Sequence, residues 1–335
     1  MIVLRTILVI LISDIFSVHF FAGKKQTPPY KFEEKCMGTV FRILIDHENF
    51  EIAQKNAYLA FEEANRLNKI FSDYESDSEC SLLSEKSGTG KFYSVSNDLF
   101  SVLIKSQKLS RETNGFFDIT IGPYSRLWRI ARFRNSLPDQ SSLNQAKKRV
   151  GAENIIIDSE AQKVKLTKKG MILDFGSIAK GYAADKMMGF LKAKNLTKVL
   201  IDAGGDIIVG NPPTGQNGWN VVIGGRKHSM YPKLSLVNTA VATSGDYEQN
   251  LSINGKTYSH IINPKTGIGL TNKAQVTVFA NTATEADAFA STSLVLGKED
   301  GIKFLKSKKY ISAYYIQEVK NELSFYEINR EVKNN

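Results

Sequence analysis

From Asn154 onward the chain carries short runs rich in β-branched residues with few helical stretches between them, and this clumping limits the fold more than any other feature. "NIIID", "KVKLT" and "MILDFG" read as strands, followed by one helix from Ile178 to about Lys194. "KVLIDAGGDIIVG", "WNVVIGG", "KLSLVNTAVATSG", "KTYSHIINP" and "QVTVFAN" read as further strands, and a last helix is expected from about Ala283 to Leu296. A doubly wound parallel sheet needs a crossover helix between successive strands. Strands grouped without that alternation predict an α+β fold with mixed or antiparallel sheets.

The first half supplies the remaining helices. Ala53, Ala57, Ala60, Phe61, Ala64, Leu67 and Ile70 fall on one face of a helix from about Phe50 to Phe71. "NDLFSVLIKSQKLSRETNG" is a second helix, with Asn97 as its expected N-cap and Gly115 past its end. "CMGTVFRILID" alternates like a strand, "SDYESDSECSLLSEKSGTG" reads as a polar loop, and Arg129 to Ala152 as a charged surface excursion. No repeat or low-complexity linker divides the chain, so residues 24–335 are expected to form a single domain.

Ahead of that domain, "MIVLRTILVILISDIFSVHFFAGKK" has an early Arg5 and an apolar run from Thr6 to Ala22, then turns abruptly polar. The run is shorter than the roughly 20 residues of a full bilayer span, so residues 1–23 are expected to be a secretory signal peptide, with a membrane anchor as the alternative. Export to the periplasm or the outer side of the cytoplasmic membrane follows. The net charge of +10 comes from lysines spread along the chain, and no nucleic-acid-binding signature is visible, so no nucleic-acid partner is expected. Cys36 and Cys80 have no zinc-ligand spacing and sit among small or apolar residues, which points to two buried free thiols.

Three short motifs fail on their surroundings. "DFG" at 174–176 lacks the other protein-kinase elements. "GTGK" at 88–91 lacks the glycine spacing of a phosphate loop. "AGGDIIVG" runs into "NPPTG" rather than into a helix, so it is not a dinucleotide fingerprint. What remains of "ILDFGSIAKGYAAD" is physical. A helix starting near Ser177 presents unpaired N–H groups, Gly176 lets a diphosphate approach the backbone, and Lys180 adds a positive charge. Asp174 would contact a hydroxyl or ring N–H of such a ligand, or would merely cap the helix; the residues alone leave both open. Asp287 and Ser291, four apart on the "TATEADAFASTSLVLG" helix, share a face suited to a hard cation such as Mg²⁺. An acid in so apolar a helix is costly unless paired. His260, in a strand before an Asn-Pro turn, is either a proton acceptor or a satisfied core residue.

Taken in order, "MGTVF", "FSDYESDSECSLL", "NGFFDITIGPYSRLW", "LDFGSIAKGYAAD", "IDAGGDIIVG", "ATSGDYEQ", "YSHIINPKTG" and "TATEADAFASTSLVLG" resemble the ApbE-type FAD:protein FMN transferases, over roughly Met37 to Gly297. The resemblance implies a single α+β, T-fold-like domain. It also implies a Mg²⁺-dependent enzyme that cleaves FAD, places FMN on a threonine or serine of a target protein and releases AMP. It assigns Met37, Tyr74, Phe116, Phe117, Asp118, Asp174, Lys180 and Ile262 to the FAD site, and Ser177, Asp287 and Ser291 to the metal. It makes His260 the candidate for proton transfer near the acceptor hydroxyl, with Asp287 beside it in the catalytic set. Ser291 stands where threonine is more usual, Asn263 where aspartate is common, Phe116 where a small residue is frequent, and Cys80 where an aliphatic residue is found. The family's acceptor pattern, an acid followed shortly by Ser/Thr-Gly-Ala-Thr/Ser, is absent. The expected partner is therefore another protein, exported or in the membrane, such as a respiratory-complex subunit or a reductase. A Mg²⁺-dependent FAD pyrophosphatase and an exported flavin-binding protein are the alternatives.

Overall fold

The computed structural model describes residues 27–223, 233–245, 250–320 and 322–329; the expected leader, residues 1–23, lies outside them. Its centre is an eight-stranded sheet with strands, in spatial order, Tyr30–Cys36, Thr39–Ile45, Val199–Ala203, Ile207–Val209, Thr239–Gly245, Ala274–Ala280, Ser312–Val319 and Glu322–Ile328. Every neighbouring pair is antiparallel, and spatial order equals chain order. The α+β expectation therefore takes the form of an antiparallel meander into whose connections the helices and small hairpins are inserted.

The helices Phe50–Phe71, Ala179–Ala193 and Ala283–Leu296 pack on one another and on one face of the sheet. Val276 and Val278 face this helical layer, together with Phe41, Ile43 and Ile201. The other face is covered by the hairpin of Trp219–Val222 and Lys233–Leu236, where Trp219, Val221, Leu234 and Leu236 pack on Leu200, Val209, Val241, Phe279 and Ile316. The strand Ala274–Ala280 is thus buried on both faces, with the polar Gln275 and Thr277 buried among its apolar residues.

One contact inside the helical layer fixes the site. A Cβ on Gly181 would come within 2.3 Å of the Ala283 carbonyl oxygen and 2.9 Å of the Asp287 Cβ. Only glycine lets the two helices meet at backbone distance. Asp185, one turn further on, secures the register: its Oδ1 accepts the Ala283 N–H at 2.7 Å and its Oδ2 the Thr284 N–H at 2.9 Å. It thereby satisfies donors that a helix start leaves open.

Several sequence expectations need correction. "MILDFG" forms no strand; Ile172 makes an isolated bridge to Ile121, and the Asp174 N–H donates to the Ile119 carbonyl at 2.7 Å. The stretch assigned to a surface excursion holds the end of the helix Gly122–Arg134 and the helix Gln140–Lys147. Tyr124, Trp128, Ala131, Leu143 and Ala146 build a small core there with Leu251 and Ile262. Arginines at 126, 129, 132 and 134 mask the apolar period in the sequence. The expected polar loop contains the helix Glu79–Glu85, started by Ser78, whose Oγ accepts the Ser81 N–H. Ser96, not Asn97, caps the helix Asn97–Glu112, accepting the Leu99 N–H at 3.2 Å. The helix Ala283–Leu296 is not the last: Lys298–Lys306 follows it, and the final two strands follow that. Tyr30–Cys36 was also illegible as a strand, and it turns into its partner through Met37 and Gly38, both at positive φ (48° and 74°). Cys36 and Cys80 are buried and free, and burial pushes their thiols up to about 11 and about 12. No helix among the described residues is long and apolar enough to cross a membrane.

Candidate active site

Every residue predicted for the site lines one cleft of about 1140 Å³. Its floor is where the Gly181 crossing brings two helices and a sheet turn together. Asp287, only 3% exposed, accepts the Gly181 N–H on Oδ2 at 3.1 Å. Lys180 stands 3.9 Å from the same oxygen and is ion-paired with Asp206, which follows the Gly204–Gly205 turn between two sheet strands. Two buried carboxylates therefore share one ammonium. Burial, then the charge of Asp206, pushes the Asp287 carboxyl up to about 7, against the pull of Lys180. One turn along the helix, the Ser291 Oγ lies 2.9 Å from the Ser244 Oγ. Ser177 sits in the turn ahead of Ala179–Ala193, whose N-cap position, Ile178, provides no side-chain bond.

This oxygen set suits a hard cation. The described residues contain no cluster of three or more His, Cys, Asp or Glu arranged for a metal. Mg²⁺, by contrast, uses one or two carboxylates and keeps several waters or substrate oxygens. Among the described residues a buried acid pair shares one ammonium, and a cation would offset the remaining negative charge.

A second group of lining residues is built around Asp174. Its Oδ1 accepts the Gly176 N–H at 2.9 Å, which closes the turn before the helix, while its Oδ2 points toward Arg129 at 3.9 Å. Asp174 therefore does not cap the helix Ala179–Ala193: one oxygen closes the turn ahead of it and the other faces Arg129. Arg129 also donates to Asp73 Oδ2 at 2.6 Å and covers the ring of Tyr74 at 3.8 Å from its centroid. Burial, then the neighbouring Asp174, raises Asp73 to about 6 despite Arg129.

Asp118 lines the cleft, but its carboxylate is occupied. Oδ1 accepts the Thr120 N–H and hydroxyl at 2.7 and 2.6 Å, and Oδ2 accepts the Ala152 N–H at 3.1 Å. The residue ties the "FFDIT" loop to the turn at Ala152, and Phe116 and Phe117 line the cleft beside it. Met37 enters from the hairpin turn between the first two strands. Ile262 is buried in the two-residue strand Ile262–Asn263, paired with Ile268–Gly269. His260 is half-buried just before it, in a backbone fixed by the Ser259 N–H to the Leu270 carbonyl at 2.7 Å.

Sequence reasoning missed Asp73, Arg129 and Asp206. Asp206 carried a signal, an acid directly after two glycines within "IDAGGDIIVG". Arg129 carried none, being one arginine among four on its helix.

Comparison with known proteins agrees with this architecture. The model of the ApbE family matches residues 37–315. The FAD:protein FMN transferase of Treponema pallidum is 29% identical over 315 residues, 88% of this chain and 86% of the relative. That of Haemophilus influenzae is 26% identical over 306 residues, 88% of each chain. Among solved structures, the ApbE protein of Thermotoga maritima superposes with a TM-score of 0.80 at 26% identity, covering 90% of this chain and 97% of its own. The chain belongs to the ApbE family.

Proposed function

We propose that the chain is a Mg²⁺-dependent FAD:protein FMN transferase acting on a threonine or serine of an exported or membrane protein. The observation that carries this reading is the convergence of Lys180, Asp206 and Asp287 at a helix start, in a cleft at least as large as the roughly 300–1,000 Å³ of small-molecule sites. The family membership and the names of the relatives give it its chemistry.

In this reading the FAD diphosphate lies over the turn at Gly176 and Ser177, where the positive end of the helix and Lys180 oppose its charge. Asp287 with the Ser291 hydroxyl and an oxygen of Ser177 would hold Mg²⁺, which when bound would supply charge neutralisation to the phosphates. His260 takes the proton of the acceptor hydroxyl, whose oxygen bonds to the phosphorus on the FMN side. The bond from that phosphorus to the bridging oxygen breaks, and AMP leaves with that oxygen. Tyr74, Asp174 and the aromatic loop at Phe116 and Phe117 hold the dinucleotide while this happens. The apolar run from Thr6 to Ala22 supports work outside the cytoplasmic membrane, with residues 1–23 as leader or tether.

The test combines purified protein, FAD, Mg²⁺ and an acceptor protein bearing the family's flavinylation segment. A fluorescent acceptor on a denaturing gel, with one AMP released for each FMN attached, is the expected result. Free FMN and AMP with an unlabelled acceptor would mean a pyrophosphatase; intact bound FAD would mean a binding protein.

A further inference from the structure

Arg129 reaches the cleft from the helix Gly122–Arg134 and makes three contacts on one wall. Its Nη2 donates to Asp73 and faces Asp174, at 2.6 and 3.9 Å, and its guanidinium lies 3.8 Å from the centre of the Tyr74 ring. The two carboxylates are mostly buried, with side chains 8% and 14% exposed, whereas Tyr74 is 76% exposed. Only a planar cation can donate sideways to a carboxylate while lying flat on an aromatic ring; an ammonium cannot do both. With one face of Tyr74 covered and most of the residue open, the ring is a ready surface for a second planar group.

We infer that Arg129 is a positioning residue for the dinucleotide, clamping Tyr74 as a platform on which a planar ring of FAD stacks and offsetting the charge of Asp73 and Asp174 beside it. The inference rests on the FAD reading above. Arg129 is remote from the acid–lysine centre in its contacts, so its effect falls on FAD affinity rather than on the chemical step.

The experiment is a fluorescence titration of FAD into wild type, Arg129→Gln and Arg129→Lys, with turnover at saturating FAD and thermal melting of each. Arg129→Gln is expected to weaken FAD binding by about tenfold or more, while kcat at saturation stays within about threefold. Arg129→Lys keeps a charge beside both acids and so keeps the melting temperature, yet it cannot lie on the ring and should still lose about threefold or more in affinity. Wild-type affinity in Arg129→Lys, or a loss confined to kcat in Arg129→Gln, overturns the inference while leaving the function intact. A wild type that binds no FAD overturns both.

Discussion

Replacing Asp287 by asparagine should make the metal-free protein more stable and the enzyme inactive. The carboxyl is buried, shares Lys180 with Asp206, and is pushed from its ordinary 3.8 up to about 7. Because the folded state holds this proton more tightly than the unfolded chain, the group costs nothing below about pH 4. Its cost grows as the pH rises from there and levels off above about 7. A rise of that size corresponds to at most about 4 kcal/mol, at about 1.36 kcal/mol for each pH unit. An asparagine has no charge to bury and can still offer an oxygen to the Gly181 N–H. Urea denaturation in EDTA at pH 8 should therefore find Asp287→Asn more stable than wild type by about 1–4 kcal/mol, with the gap narrowing steadily toward pH 4. Added Mg²⁺ should raise the melting temperature of the wild type and leave the variant unmoved, and flavin transfer should be lost. A variant equal to or less stable than wild type at pH 8, or a gap independent of pH, would refute the electrostatic argument. Mg²⁺ stabilising the variant as well would refute the metal assignment.

The other expectations are narrower. Gly181→Ala drives a methyl toward the Ala283 carbonyl and the Asp287 Cβ, so it should cost about 1–3 kcal/mol by denaturation and lower transfer by displacing Asp287; a variant with wild-type stability and rate would mean the helices can separate freely. Asp185→Ala removes the acceptor of two N–H groups at the start of Ala283–Leu296 and should destabilise by about 1–2 kcal/mol, visible as a lower urea midpoint. His260→Gln should leave FAD affinity close to wild type and reduce single-turnover transfer by about a hundredfold or more, which stopped reactions on a gel would reveal; an unchanged rate would return the residue to a packing role. Deleting residues 1–23 should leave an active enzyme in the cytoplasmic fraction, whereas full-length protein found there with Met1 intact would remove the leader reading.

How far the sequence could be read depended on whether a residue's role was local. The helix Phe50–Phe71 was legible because its buried alanines repeat at helical spacing, and Asp287 and Ser291 because four residues on a helix share a face. The turn at Gly176 ahead of the helix carrying Lys180 was legible for the same reason, since a glycine, a helix start and a lysine are neighbours in the chain. The helix Gly122–Arg134 was hidden because its apolar face, Tyr124, Trp128 and Ala131, packs on residues more than a hundred positions away, such as Leu251 and Ile262. Its arginines then read as solvent-facing charge. Asp206 and Arg129 have a common difficulty: each acquires meaning only from a partner that the fold delivers, Lys180 beside the sheet turn and Asp73 on the same wall of the cleft. No periodicity encodes such a pairing. Gly181 is the sharper case, because the residue that aligns the acid with the lysine is chosen for the side chain it lacks. Within its own helix it looks like a weak position, and only the Ala283 carbonyl at 2.3 Å from its missing Cβ explains why alanine does not stand there.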